Sequence, residues 1–314
     1  MDRREFAATL AGVGIGLAGD GVLGARATGT IPMRPLGDTG VAVTMLGLGG
    51  HHVGLADSAV AARRLVDAAL AEGIRFFDTA ESYQSGRSER WLGAALSGVR
   101  GGVFLASKTF APDQRNADSA RRHLEGSLER LRTDHLDLWQ LHAVRSVADV
   151  DRAFGPGGAM EYLLEAKRRG LVRHIGVTGH ATPAAHLRAL EHWDRGARFD
   201  VMQLPLNPLD GHQRRFKRQV LPGLVRSGIG VIAMKTSADG ALLRAGLCSI
   251  AQCLDYVWSL PVSVVVVGME RPELARRNAA LARRHARWDE RRMALLEERV
   301  APLVRPTPEG AGGG

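Results

Sequence analysis

The chain of 314 residues is long enough for one large barrel or two ordinary domains. Its 45% apolar and 24% charged residues are the composition of a soluble globular protein with its own core. The formal charge of +9 invites nucleic acid as a partner, but the pattern of the basic residues excludes it. Arg214, Arg215, Lys217 and Arg218, and again Arg276, Arg277, Arg283 and Arg284, alternate with apolar positions at helical spacing. That is the pattern of solvated helix faces, and no nucleic-acid motif accompanies it. A basic surface does favour capture of an anionic cofactor.

Residues 1–27 read as an address. Arg3-Arg4, with Phe6 two positions on and a mild apolar run through Ala18, resembles a twin-arginine export signal. Gly12, Gly14 and Gly16 leave the run too weak and too short for a membrane span, so no stable membrane anchor is expected. Ala25-Arg26-Ala27 supplies a small-x-small cleavage site, which puts a mature start at Thr28. The expectation is a periplasmic or otherwise exported protein, with the twin-arginine translocase as a transient partner. If the signal is not used, the protein stays cytoplasmic. The pathway carries folded proteins, which suits an enzyme that must acquire its cofactor before export.

Residues 28–314 read as a single domain. A small hairpin is expected between Met33 and Val43, turning at Gly37-Asp38-Thr39-Gly40. Short apolar runs then alternate with helical patterns. The runs predict strands at 45–49, 74–77, 103–107, 136–141, 174–178, 201–204, 230–234 and 263–268. Helix patterns cover 59–72, 117–131, 160–169 and 213–227, and glycines at 73, 170 and 228 supply left-handed stops. Eight βα units over roughly 240 residues match a (β/α)8 TIM barrel. A doubly wound open sheet is the alternative, but Gly47-Leu48-Gly49-Gly50 only loosely matches the phosphate-binding turn it would need. Cys248 and Cys253 are expected as free, buried thiols. On one helix, a spacing of five would hold their Cα atoms about 8 Å apart or more, beyond disulfide reach. No metal-ligand spacing occurs.

In such barrels the reacting groups sit where strands end. Those positions hold Asp78, with Tyr83 in the loop beyond, then Lys108 and His142. Together they make a proton-transfer device. A phenol titrates near ~10, and a neighbouring ammonium is expected to lower that value. Asp78 can keep Lys108 charged and oriented, and His142 can hydrogen-bond a substrate oxygen. None of these side chains carries electrons, so a cofactor must.

Phe77-Asp78-Thr79-Ala80-Glu81-Ser82-Tyr83, followed by Gly86 and Ser88-Glu89, resembles the aldo-keto reductase signature D-T-A-x-x-Y-x-x-G-x-S-E. Ala106-Ser107-Lys108-Thr109 is similar to that family's lysine motif, and Asp137-Leu138-Trp139-Gln140-Leu141-His142 to its histidine motif. The resemblance runs from about Arg34 to Leu281. It implies a catalytic tetrad of Asp78, Tyr83, Lys108 and His142. Tyr83 would be the general acid as hydride passes from NADPH to a small-molecule aldehyde or ketone.

The resemblance also implies cofactor-binding positions. Thr178-Gly179-His180 stands where the family has Ser-Asn, whose polar side chains hold the carboxamide. Gln203 and Asn207 match its Q-x-x-x-N pattern, and Lys235 follows the seventh strand. Gly268 ends the eighth strand, and Asn278 would contact the adenine. The basic residues that usually meet the 2′-phosphate are missing at Gly268 and Leu274, which leaves Arg271, Arg276 or Arg277 as substitutes. NADP(H) is implied ahead of NAD(H), which stays possible. Leu206 occupies a place where many members stack an aromatic on the nicotinamide. The Thr-Gly-His departure, with the export-like segment, resembles a less characterised branch of the family. Loops around 155–158 and 238–246 are expected to shape the pocket, and His51 and His52 to line its rim. Two other functions compete: a nicotinamide-binding redox sensor or accessory subunit with little turnover, and an aldolase-like barrel with Lys108 as a Schiff-base lysine.

Overall fold

The computed structural model describes residues 29–109, 115–212 and 215–304. The export-like segment at 1–27 and the start at Thr28 lie outside them. Within them all eight expected strands form, with bounds within two residues of those read from the apolar runs. They are Leu46–Gly49, Phe76–Asp78, Phe104–Lys108, Leu136–Leu141, Val172–Thr178, Val201–Pro205, Gly230–Met234 and Val264–Gly268. Each pairs in parallel with the next, and the eighth returns to the first with Val265 opposite Leu46. The sheet is therefore a closed (β/α)8 barrel, and no open edge remains.

The chain before the barrel forms the expected hairpin, Met33–Pro35 antiparallel to Ala42–Thr44. Its tip does more than turn. Leu36 is fully buried with Phe76, Ala106, Leu138, Val201, Ile232 and Val264, the inward residues near the starts of the strands. The hairpin thus plugs one end of the barrel and leaves the other for chemistry. A second, larger core lies between the strands and the surrounding helices.

Helices start where polar side chains can accept from orphan backbone N–H groups. Ser58 accepts from the Ala61 N–H at the start of Ala59–Ala71, and Asn116 from Ser119 at the start of Ala117–Leu131. The single helix expected over 213–227 does not form within the described residues. It is two short helices, Phe216–Gln219 and Leu221–Arg226. Pro222 explains the break: it lacks the N–H that would continue the first helix and fits the first turn of the second.

The cysteines require a correction. Cys248 is not on the helix that carries Cys253. It precedes Ser249, the N-cap of Ile250–Ser259, and the two sulfurs lie 3.0 Å apart. Among the described residues no helix is long and apolar enough to cross a membrane, and no cluster of metal-ligating side chains occurs.

Candidate active site

A cleft of about 760 Å3 opens at the end of the barrel where the strands finish. That volume is typical of a site for a cofactor and a small substrate. Asp78, Tyr83, Lys108 and His142 all line it, brought from the second, third and fourth strands and the loop after the second. Asp78 and Lys108 are almost fully buried, and the Lys108 Nζ donates to both Asp78 carboxylate oxygens at 2.8 and 2.7 Å and to the Thr79 carbonyl at 2.6 Å. Burial opposes the ammonium, but Asp78 and Tyr83 outweigh it and leave the Lys108 pKa raised. Lys108 therefore remains charged, 5.1 Å from the centre of the Tyr83 ring.

Tyr83 behaves differently from the expectation. The ammonium does pull its pKa down, but burial of the phenol is the larger effect, and the Asp78 carboxylate adds to it. The net direction is upward. Removal of water from the phenolate costs more than one neighbouring cation returns, because that cation is itself neutralised by Asp78. Burial, reinforced by the Lys108 and Arg115 charges, pushes His142 down to about 3. Its imidazole is neutral near pH 7, and its ring stands edge-on to Tyr83 at 6.1 Å.

The second half of the Tyr83 motif builds the frame. Ser88 Oγ donates to the Gly50 carbonyl at 2.7 Å and lies 2.8 Å from Thr79 Oγ1. Glu89 is fully buried and accepts from Ser107 Oγ and Arg130 Nε, each at 2.6 Å. These bonds tie the tyrosine loop to the strand that carries Lys108. Gly86 sits at φ +78°, and a side chain there would strike Arg130.

The remaining cofactor candidates divide. Thr178, His180, Gln203, Lys235, Gly268, Arg277 and Asn278 line the cleft. Gln203 joins the tetrad's network: its Nε2 reaches Asp78 at 3.5 Å, and its Oε1 accepts from Gln140 at 2.8 Å. Gly179 and Asn207 are not in the lining. Asn207 donates to the Lys235 carbonyl and accepts from the Leu209 N–H, so it fastens the loops behind the site. Gly179 is pressed against Val144, and a Cβ there would come within 2.6 Å of the Val144 carbonyl oxygen. In Thr-Gly-His the middle position therefore cannot carry a side chain, and Thr178 and His180 on either side of it reach the cleft. Leu206, which stands where many members stack an aromatic, is fully buried in the core between strands and helices and is not in the lining. Met234, at the end of the seventh strand, lines the cleft instead.

Of the three arginines considered, Arg277 alone lines the cleft, and Arg276 pairs with Glu273. His51 and His52 line the rim as expected, on a short helix, Gly50–Leu55. The loop at 155–158 does not line it; Gly157 and Gly158 pack against the start of the helix at 117–131. The segment after the seventh strand does, through Asp239, Gly240, Leu243 and Arg244. Sequence reasoning missed Arg244, which ends the short helix Ala241–Arg244, because a lone basic residue in so short an element carries no pattern. Lys235, Ala238 and Asp239 adopt positive φ in this segment, as does Ala143 beside His142. Such conformations in non-glycine residues are costly and gather at functional sites.

A nicotinamide cofactor fits these residues. Asn278 is almost fully buried, faces the cleft, and its Oδ1 has no partner within the protein. An acceptor left unpaired in that way fits a ligand that donates to it. Gly49 and Gly50 give the cleft a backbone floor, where a Cβ on Gly50 would meet the Asp78 carbonyl at 2.7 Å.

The closed barrel, with Asp78, Tyr83, Lys108 and His142 converging at its strand ends, is the arrangement that the sequence motifs imply. The Aldo/keto reductase family profile matches residues 45–251, and the chain belongs to that family. Among curated proteins it is 33% identical over 225 residues to the uncharacterized oxidoreductase YrpG of Bacillus subtilis (strain 168), covering 66% of this chain and 67% of that one. It is 37% identical over 175 residues to the methylglyoxal reductase YeaE of Escherichia coli (strain K12), covering 56% of this chain and 57% of that one. Among solved structures, an aldo-keto reductase from Klebsiella pneumoniae in complex with NADPH superposes with a TM-score of 0.68, covering 87% of this chain and 97% of that one. At 23% identity that likeness speaks for the fold.

Proposed function

We propose that the protein reduces an aldehyde or ketone with NADPH, and that Tyr83 is the general acid. The observation that carries this reading is the convergence of Asp78, Tyr83, Lys108 and His142 on one cleft, with the Lys108 ammonium locked by Asp78 beside the tyrosine. Bound in the cleft, NADP(H) supplies the hydride. Thr178, His180 and Gln203 would hold its carboxamide end, and Asn278 its adenine. The protein's own residues do the rest. Neutral His142 hydrogen-bonds the carbonyl oxygen and orients it. Tyr83 Oη gives its proton to that oxygen, and the Lys108 ammonium steadies the phenolate that results. The raised Tyr83 pKa keeps the phenol protonated, as an acid for reduction must be.

NADP(H) is favoured over NAD(H) by Arg277 and Arg244, which both line the cleft and offer forked donors to a 2′-phosphate. The substrate is a small carbonyl compound. Among relatives, one named a methylglyoxal reductase makes a 2-oxoaldehyde the first compound to try. Residues 1–27 belong to the proposal as a twin-arginine export signal. Replacement of Arg3 and Arg4 by Lys should then hold the protein in the cytoplasm, and unchanged fractionation would contradict it.

The test of the enzymatic reading is the absorbance of NADPH with the purified chain and a panel of aldehydes, 2-oxoaldehydes and ketones. Carbonyl-dependent oxidation supports the reading. Tight NADPH binding without turnover on any member would leave the cleft as a binding site and contradict it.

A further inference from the structure

Ser249 caps the helix Ile250–Ser259 with a reciprocal capping box: its side chain accepts from the Gln252 N–H, and the Gln252 side chain accepts from the Ser249 N–H. In a cap of this kind the residue before the N-cap packs on the residue four positions into the helix, the place where proteins commonly set a pair of apolar side chains. Here the two positions are Cys248 and Cys253, and their sulfurs lie 3.0 Å apart. That separation is well inside an ordinary contact between sulfurs and about 1 Å longer than a disulfide bond. Both residues are free thiols in this structure.

Their position gives the pair a consequence. The chain that lines the cleft through Asp239, Gly240, Leu243 and Arg244 runs directly into Cys248, and Ile250, two residues on, lines the cleft again. We propose that Cys248 and Cys253 close reversibly to a disulfide in the folded protein, forming a redox-responsive clasp at the C-terminal end of the cleft-lining segment. The chemistry is thiol–disulfide exchange with a low-molecular-weight disulfide as oxidant. The Cys248 thiolate attacks that disulfide, bonds to one of its sulfurs and expels the other as a thiolate. Cys253 then gives up its proton and attacks the Cys248 sulfur, releasing the second small thiol. The protein loses two hydrogens, and one small disulfide becomes two thiols.

Cys248 is suited to begin. It is 7% exposed, whereas Cys253 is fully buried. The hydrogen bond from Cys253 also lowers the Cys248 pKa, and the same bond, with burial, raises that of Cys253. The pair does not depend on which cofactor the cleft takes. If the protein is exported as proposed, it meets an oxidising compartment after folding with the clasp open.

The test is treatment of the folded, full chain with oxidised glutathione, followed by alkylation and tryptic mass analysis. No Lys or Arg lies between Arg244 and Arg271, so both cysteines fall on one peptide. The expected peptide is lighter by two hydrogens, carries neither alkyl group nor glutathione, and regains two alkylatable thiols after dithiothreitol. Cys253→Ser should instead trap glutathione on Cys248, which identifies the attacking sulfur. Tryptic cleavage after Arg244 in the native protein should slow several-fold on oxidation and recover on reduction. Two thiols still alkylatable after treatment, or a stable glutathione adduct in the wild type, would overturn the disulfide. Cleavage after Arg244 at the same rate in both forms would overturn the clasp.

Discussion

Gly179 has no space for a side chain, and that accounts for the glycine in Thr178-Gly179-His180. A Cβ would press on the Val144 backbone and on the buried ring of His186, 3.0 Å away. Gly179→Ala should therefore destabilise the protein by about 1–3 kcal/mol, as overpacking against backbone does. Urea denaturation checks this, and an unchanged midpoint would contradict the close packing. Arg277 makes a prediction of the opposite kind, functional and not structural. Arg277→Ala should weaken NADPH binding by about ten- to a hundredfold, the worth of a charge-assisted contact to phosphate. Binding of NADH should barely change, and fluorescence titration with both cofactors separates the cases. Equal loss with both would mean that Arg277 does not meet the 2′-phosphate. The identities of Asp78, Tyr83, Lys108 and His142 were legible in the sequence because each follows an apolar run that reads as a strand. The direction of the Tyr83 shift was not. Residue types reveal the cation beside the phenol, but only the fold reveals how much water is excluded from it. Asn207 differed for a similar reason: its spacing matched a pattern, and its side chain bonds to the Lys235 carbonyl and the Leu209 N–H.

At the scale of elements, the helix Arg87–Leu96 is fixed to the neighbouring strand and helix by one buried carboxylate. Glu89 holds Ser107 and Arg130 at once, and Arg130 also reaches Glu81 at 3.2 Å. Glu89→Ala leaves the Ser107 hydroxyl unpaired and half of the Arg130 fork unmet, and should cost about 3 kcal/mol. A fall in the thermal midpoint of several degrees is the expected reading, and a change within error would remove Glu89 from the frame. Strands were the most legible elements, since continuous Val, Leu and Ile runs suit a sheet covered on both faces. The helix over 213–227 was misread because its periodicity is genuine on both sides of Pro222. The cysteine pair was misread because spacing was converted to distance on a single helix. A cap bends the chain at Ser249, and five positions across that bend bring the sulfurs together.

At the scale of the whole molecule, two buried histidines set a pH limit on stability. His142 is pushed down to about 3 and His186 to about 4, both chiefly by burial. An unfolded histidine titrates near ~6.5, so between that value and the folded ones the unfolded chain binds more protons. Their contribution is present in full above ~6.5 and is lost progressively as the pH falls towards 4 and 3. The urea midpoint should therefore drop as the pH is lowered from about 7 to about 5, and a flat or rising midpoint would contradict neutral burial. The barrel itself was readable from eight alternating units, whereas closure of its lower end by Leu36 was not, because a lone leucine in a turn carries no periodicity. The proposed reduction turns on one proton, held on Tyr83 beside a cation that Asp78 keeps in place. Its most direct test is the rate of carbonyl-dependent NADPH oxidation in wild type and in Tyr83→Phe, with NADPH affinity measured in both. The account predicts a fall of about a hundredfold or more in rate, the scale of general acid catalysis, with affinity nearly unchanged. Equal rates in the two proteins would contradict it and assign the proton to another group.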